Sequence, residues 1–331
     1  MGLECFWILE LYVLVPIKRK DSVPQLELLE AMNGIKQPIV AGAGFQLHYE
    51  SKRGRLFCGD SIEWMNSLPS DSVDLVFADP PYNVKKADWD HFESHIQYVS
   101  WSHEWIEAAA RLLKPTGTLY VCGYSEILAS ILMSVMPLFK GCRWLVWHYK
   151  NKANLGSDWG RSHESIIHLR KGAKQAFNVD DVRIPYGAHT LKYPEHPQAE
   201  TSQYGGNGNG KQRDNWTPHP MGAKPKDVFD IPTTCNGMGE KTQHPTQKPE
   251  ELLRKLVLAS SNSNDVVLDP FSGSGTTAVV AEQLGRRWLA CDECEQYNEW
   301  AIGRIENVVR RPVDDWIKLD TETAQRRESI R

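Results

Sequence analysis

The chain has 331 residues, with 38 Lys and Arg against 42 Asp and Glu, a formal net charge of −4. Hydrophobic residues make up 41% and charged residues 24%, an ordinary globular mixture that excludes a disordered, collagen-like or wholly coiled-coil chain. No apolar run reaches the roughly 18 residues of a membrane span. The longest, Cys5 to Ile17, is interrupted by Glu10 and lacks a basic leader, so it makes a poor secretory signal. Seven scattered cysteines, an odd number, argue against a disulfide framework and for a reducing, cytoplasmic setting. Cys291 and Cys294 have CxxC spacing, but no second pair completes a zinc site, and no metal is expected.

Residues 1–40 carry an apolar start and the Lys18-Arg19-Lys20 cluster, without a turn–strand rhythm. They read as an N-terminal extension that the domain does not need, and Met32 offers an alternative start after residues 1–31. Regular organisation begins near Arg55. Leu56 to Cys58 reads as a strand, Gly59-Asp60 as a turn, and Asp60 as the cap of a helix carrying Trp64, Met65 and Leu68. Val73 to Ala78 is apolar apart from Asp74, as suits a parallel strand covered on both faces. Helical spacing over 101–113 leads into a strand at Thr118 to Cys122. Two more strands are expected at Trp144 to Tyr149 and Ser165 to Leu169.

Between Lys171 and Glu240 the texture changes. Nine Gly and seven Pro fall in these 70 residues, predicting an irregular insertion outside the sheet. Order returns with a helix opened by Pro249, a strand at Val266 to Leu268, a helix over about Thr276 to Leu284 and a strand at Trp288 to Cys291. The charged tail after about Arg310 reads as peripheral. The alternation predicts an α/β fold with a doubly wound, mostly parallel sheet.

Four segments carry chemistry. Asp79-Pro80-Pro81-Tyr82 follows the strand 73–78, and ligands of open α/β sheets bind at strand ends. The proline pair cannot continue a ladder and leaves rigid carbonyls free to accept. A carboxylate beside such a carbonyl can take both hydrogens of an exocyclic amino group, and Tyr82 offers a face for a flipped base. Asp269-Pro270-Phe271-Ser272-Gly273-Ser274-Gly275-Thr276 joins a strand to a helix, and its glycines allow a close ligand approach at a helix N-terminus. That turn alone also fits a dinucleotide site or simple packing. Asp292, at the end of the next strand, suits a ribose, although Asp292-x-x-Glu295 equally reads as a helix cap; Asp60 has the same ambiguity. His244-Pro245-Thr246-Gln247-Lys248-Pro249 places Thr246 and Lys248 where a ligand carboxylate could meet them.

Together DPPY, HPTQKP and DPFSGSG resemble the S-adenosylmethionine-dependent DNA amino-methyltransferases, and the motif order, catalytic first and cofactor last, resembles their β class. The resemblance covers about residues 55–175 and 241–305. It implies a circularly permuted, seven-stranded Rossmann-like methyltransferase sheet. It divides the chain into a catalytic half at 41–175, a target-recognition insertion at 176–240, a cofactor-binding half at 241–310 and the tail 311–331. It implies that Asp79, Pro80, Pro81 and Tyr82 hold the target amino group and stack on its base. It assigns the cofactor, S-adenosyl-L-methionine, to Asp60, Asp79, Thr246, Gln247, Lys248, Asp269, Phe271, Gly273, Gly275, Thr276 and Asp292. Asp rather than Ser at the first tetrapeptide position favours adenine-N6 over cytosine-N4. A nicotinamide oxidoreductase, an RNA methyltransferase and a silent DNA-binding module are the competing classes.

The implied partner is double-stranded DNA, with or without a cognate restriction endonuclease, and the implied state a monomer or homodimer. From Lys140 to Lys174, eight Lys and Arg oppose two acids, with Trp144, Trp147, Tyr149 and Trp159 interleaved, as a phosphate-contacting strip would be. Arg183, Lys192, Lys211, Arg213 and Asn215 are the candidate base readers.

Overall fold

A computed structural model of the chain describes residues 44–84, 90–150, 157, 159–194, 196–197 and 215–329. The N-terminal extension therefore lies outside the described residues, as do Lys211 and Arg213. In chain order the elements are β1 (Phe45–Glu50), β2 (Gly54–Gly59), α1 (Ser61–Ser67), β3 (Val73–Ala78), α2 (His95–Leu112), β4 (Leu113–Gly123), α3 (Ser125–Val135), β5 (Gly141–His148) and β6 (His163–Arg170). The short α4 (Ala188–Lys192), β7 (His196–Pro197), β8 (Asn215–Trp216) and β9 (Val228–Asp230) follow. The chain closes with α5 (Glu250–Ser260), β10 (Val266–Asp269), α6 (Thr276–Gln283), β11 (Arg287–Asp292), α7 (Glu295–Glu306) and α8 (Val313–Ser329).

Nine strands form one sheet in the order β1-β2-β11-β10-β3-β4-β6-β5-β9. The expected seven are its centre, from β2 to β5, and within them only β6 runs against its neighbours. The two additional strands lie at the edges. β1 pairs antiparallel with β2; Phe45, Leu47 and Tyr49 alternate with polar residues, but the register shifts between Leu47 and Tyr49 and leaves Leu47 exposed. β9 pairs parallel with β5, so the glycine- and proline-rich stretch, read as lying outside the sheet, contributes its last strand. Three residues are too short to leave a periodic signal.

Two helical layers cover the sheet. Leu75, Phe77, Tyr120 and Cys122 face a core shared with Leu252, Leu253 and Leu256 of α5 and Val279 and Val280 of α6. Helices α1, α2 and α3 pack on one another in the second layer. β3 is buried almost throughout, as its composition requires. Its exception, Asp74, pairs with Lys114 Nζ at 2.8 Å and accepts the Val266 amide at 2.9 Å, pinning the start of β10.

The tail is not peripheral. In α8, Trp316 is buried, and Arg254 of α5 grips Asp320 through two hydrogen bonds of 2.8 and 3.0 Å. Arg327 reaches Glu251 at 2.7 Å. The charges that made the segment look solvated are the ones that dock it.

Candidate active site

The parallel strands β2, β10, β3 and β4 end along the same edge of the sheet. The reversed strand β6 begins there. Asp79 leaves β3 at that edge, with Pro80 and Tyr82 beside it. These three share a cleft of about 570 Å³, open mouth included, with Val84, Asp90, Trp147, Glu164, Thr233, Thr234 and Pro245 to Lys248. The structure thus brings together the DPPY and HPTQKP segments, 169 residues apart in sequence at their contact.

That contact is an ion pair. Lys248 Nζ lies 2.5 Å from Asp79 Oδ2 and 3.4 Å from Glu164 Oε2. The Tyr82 hydroxyl lies 2.7 Å from Asp79 Oδ1 and 3.0 Å from Glu164 Oε2. Burial disfavours the Lys248 ammonium, but Asp79 and Glu164 outweigh it and hold the amine above its ordinary pKa. Burial raises the Asp79 carboxyl, opposed by Lys248 and reinforced by Glu164. Burial and the two carboxylates keep Tyr82 protonated, well above the usual phenol value.

The backbone of the tetrapeptide is fixed from outside. Tyr98 of α2 donates its hydroxyl to the Pro81 carbonyl at 2.6 Å. Asp90 accepts the amides of Asn83 and Val84 at 2.6 and 3.1 Å, which holds Asn83 at φ 57°. Among the described residues no donor meets the Pro80 carbonyl, so it remains an acceptor beside Asp79.

The HPTQKP segment splits into bracing and cleft residues. The Gln247 side chain accepts from the amide and hydroxyl of Thr242 at 2.8 Å and donates to the Glu240 carbonyl at 2.6 Å. Its work is to tie the loop. Thr246 lines the cleft, its amide facing His244 Nδ1 at 3.3 Å. Burial, with Lys248 second, lowers His244 to a pKa of about 4, so the ring is neutral.

The glycine turn stands at the neighbouring strand ends. Gly273 and Gly275 have φ of 50° and 75°, a region that side chains disfavour. A Cβ on Gly275 would meet Ala301 Cβ at 2.6 Å, and one on Gly273 would meet His244 Nε2 at 2.9 Å. Packing therefore demands both glycines. Gly275 is the N-cap of α6 and gives it no side-chain cap, which leaves a helix N-terminus suited to a polar ligand. Phe271 packs on Trp101 and Trp105 of α2. Asp269 braces the turn, accepting from the Phe271 amide and the Thr277 hydroxyl, and Thr276 donates to the Lys248 carbonyl at 3.2 Å.

Asp292 accepts the Gly273 amide at 2.7 Å and the Cys294 amide at 3.0 Å, which ties β11 to the glycine turn. Cys294, not Asp292, caps α7. Burial raises Asp292 to about 6. Asp60 is exposed and caps α1 by accepting the Glu63 amide at 2.7 Å.

Two sequence expectations about nucleic-acid contact change. Trp147 and Tyr149 are buried core residues, not a surface strip. Arg183 is spent on Asp180 and the Gly222 carbonyl, at 2.7 and 2.9 Å, bracing the insertion itself. The motifs also missed Glu164, Asp90 and Tyr98. For Glu164 the signal was present as an acid at the second position of β6, beside the apolar Ile166, Ile167 and Leu169.

The DNA methylase family model matches residues 73–303. The type II methyltransferase M1.MboII of Moraxella bovis is 34% identical over 251 residues, 71% of this chain and 90% of its own length. The DNA adenine methyltransferase YhdJ of Escherichia coli (strain K12) is 31% identical over 260 residues, 75% of this chain and 81% of its own. Among solved structures, the cytosine-N4-specific PvuII DNA methyltransferase superposes with a TM-score of 0.60 at 18% identity, covering 85% of this chain and 95% of that one. Other structures of the same fold hold S-adenosyl-L-methionine. The chain belongs to the DNA methylase family, the N6-adenine and N4-cytosine amino-methyltransferases. Among the described residues no helix is long and apolar enough to cross a membrane.

Proposed function

We propose that the protein methylates the N6 amino group of adenine in a short duplex recognition sequence, using S-adenosyl-L-methionine. The observation that carries this is that Asp79 and Pro80, consecutive in the chain, both line the cleft, and that among the described residues no donor meets the Pro80 carbonyl. Two acceptors side by side match the two hydrogens of an amino group. With both hydrogens held, the nitrogen lone pair turns away from the ring and toward the sheet's neighbouring strand ends. Asp at the first tetrapeptide position and the adenine-named relative YhdJ support adenine as the base. The fold itself serves cytosine-N4 enzymes equally, as the PvuII enzyme illustrates.

The turn at Phe271, Gly273 and Gly275, the α6 N-terminus behind it and Asp292 supply the polar, close-approach surface that the cofactor needs, with Asp60 and Thr246 at its flanks. That cofactor supplies a methyl group already activated by a positive sulfur. The chain's own residues therefore have to align the reacting atoms and exclude competing geometries. Asp79 and Pro80 orient the amine, Tyr98 and Asp90 keep the backbone from yielding, and Tyr82 offers its ring to the extruded base. The proton released by the methylated amine passes to Asp79 or to water.

The direct test is transfer of tritiated methyl from S-adenosylmethionine to duplex DNA, followed by digestion and separation of the nucleosides. Label in N6-methyladenine is the expected result. Label in N4-methylcytosine replaces the base and keeps the mechanism. Label in RNA but not DNA overturns the reading.

A further inference from the structure

Two acidic side chains that no motif claims line the cleft with Asp79: Asp90, which holds the backbone at Asn83 and Val84, and Glu164. The reversed strand puts it there. Because β6 runs against β4, its first residues reach the strand-end edge, and Glu164 arrives opposite Trp147. It is buried, and a buried carboxylate needs partners. Its partners, Tyr82 and Lys248, both meet one atom, Oε2, at 3.0 and 3.4 Å. Both are also the donors that occupy Asp79, one on each oxygen.

An Asp79 that is to accept an amine N–H has to give up part of what it already holds. Tyr82 has a single proton and bonds one carboxylate at a time. Lys248 sits at hydrogen-bond distance from Asp79 and just beyond it from Glu164. Exchanging those distances needs a shift of at least about 0.9 Å. Without a second anion, a Lys248 released from Asp79 would be a lone buried ammonium, which is strongly unfavourable.

We infer that Glu164 is a positioning residue: its Oε2 takes over Lys248 and Tyr82 when Asp79 turns to the target amino group. This rests on the reading of Asp79 given above and deepens it. The exchange keeps the ammonium paired and Tyr82 neutral throughout, and Asp79 trades its two present donors for the amine hydrogen with the ammonium still close by. Asp79, Tyr82 and Lys248 face Glu164 directly. Tyr149, just past β5, and Cys122, on β4, are the other titratable groups that feel its charge.

The test is single-turnover methyl transfer to duplex DNA by the full-length protein and its Glu164→Gln variant across pH, with thermal melts of both. The variant should transfer about 10- to 100-fold more slowly on its plateau, the range found where the partner that orients a metal-binding side chain is removed. Its acid limb should also move to lower pH, because Asp79 ionises more readily once a neighbouring negative charge is gone. A slower variant whose limb stays in place has only a structural defect, and a variant as fast as the wild type removes the role altogether; either overturns the inference. A wild type that methylates no DNA refutes the functional reading instead.

A second measurement does not depend on the variant folding. It is a crystal structure of the wild-type protein with sinefungin and a duplex carrying the methylated sequence. Lys248 Nζ within about 3.2 Å of Glu164 is expected. Lys248 still on Asp79 with the amine bound contradicts the exchange.

Discussion

Replacing Lys248 by Met removes the positive charge while keeping an unbranched side chain of similar length. The two contacts of 2.5 and 3.4 Å to Asp79 and Glu164 represent a gross attraction on the order of 10 kcal/mol at an effective dielectric of about 20. Desolvation of three ions cancels most of it, and what the mutation exposes is the cost of two uncompensated buried carboxylates. That cost is about 3–5 kcal/mol at pH 8. It should shrink as pH falls. Without the ammonium, which opposes the effect of burial, the Asp79 carboxyl holds its proton to still higher pH in the folded state than in the unfolded one. Protonation then favours the fold, and the deficit seen at pH 8 is largely recovered near pH 5. Urea denaturation of the wild type and Lys248→Met at both pH values measures it. A loss under about 1 kcal/mol at pH 8 would contradict the buried cluster, as would a deficit that does not change with pH.

Further outcomes follow from the supporting contacts. Gly275→Ala combines a left-handed backbone with a Cβ 2.6 Å from Ala301 and should cost about 2–4 kcal/mol; a shift of the denaturation midpoint worth less than about 1 kcal/mol would refute that packing argument. Asp269, raised to about 7 chiefly by burial, contributes stability that is complete below its unfolded value and is lost as pH rises to 7. Asp269→Asn should therefore flatten the wild type's decline between pH 5 and 7, a slope of at most about 1.4 kcal/mol per unit, and an unchanged slope in chemical denaturation would count against it. Asp320→Ala removes two of the hydrogen bonds of the buried Arg254 guanidinium and leaves it on Glu250 and Gln283, which should destabilise by about 2 kcal/mol, read by the same unfolding assay. Tyr98→Phe frees the Pro81 carbonyl, and the single-turnover rate should fall several-fold while the fold loses about 1 kcal/mol.

How much of this was legible in the sequence differed by the kind of signal. Strands buried on both faces announce themselves: Val73 to Ala78 is bounded in the structure where its composition puts it. Capping was equally readable at Asp60, where a local hydrogen bond within three residues decides the outcome. β1 alternates Phe45, Leu47 and Tyr49 with polar residues, but it abuts the featureless N-terminal segment, and its register shifts between Leu47 and Tyr49. The α8 tail shows why charge is a poor guide to exposure. Asp320 and Arg327 are buried or half-buried because their partners, Arg254 and Glu251, sit on the distant α5, and no local pattern records that. The site divides in the same way. Asp79, Pro80 and Lys248 were named from their motifs, whereas the Lys248–Asp79 pair and the role of Glu164 depend on β6 running backwards, a property of topology. Gln247, Asp269 and Thr276 were grouped with the cofactor, yet their side chains are engaged in holding the loops that present other residues.

The central claim is that Asp79 and its proline carbonyl present an adenine amino group for methylation in a defined DNA sequence. Long-read modification sequencing of DNA from a methylation-deficient host expressing the protein, beside an Asp79→Ala control, tests it most directly. The account predicts N6-methyladenine at one short motif, absent from the control. Unmodified DNA from cells holding folded, cofactor-binding protein would contradict it.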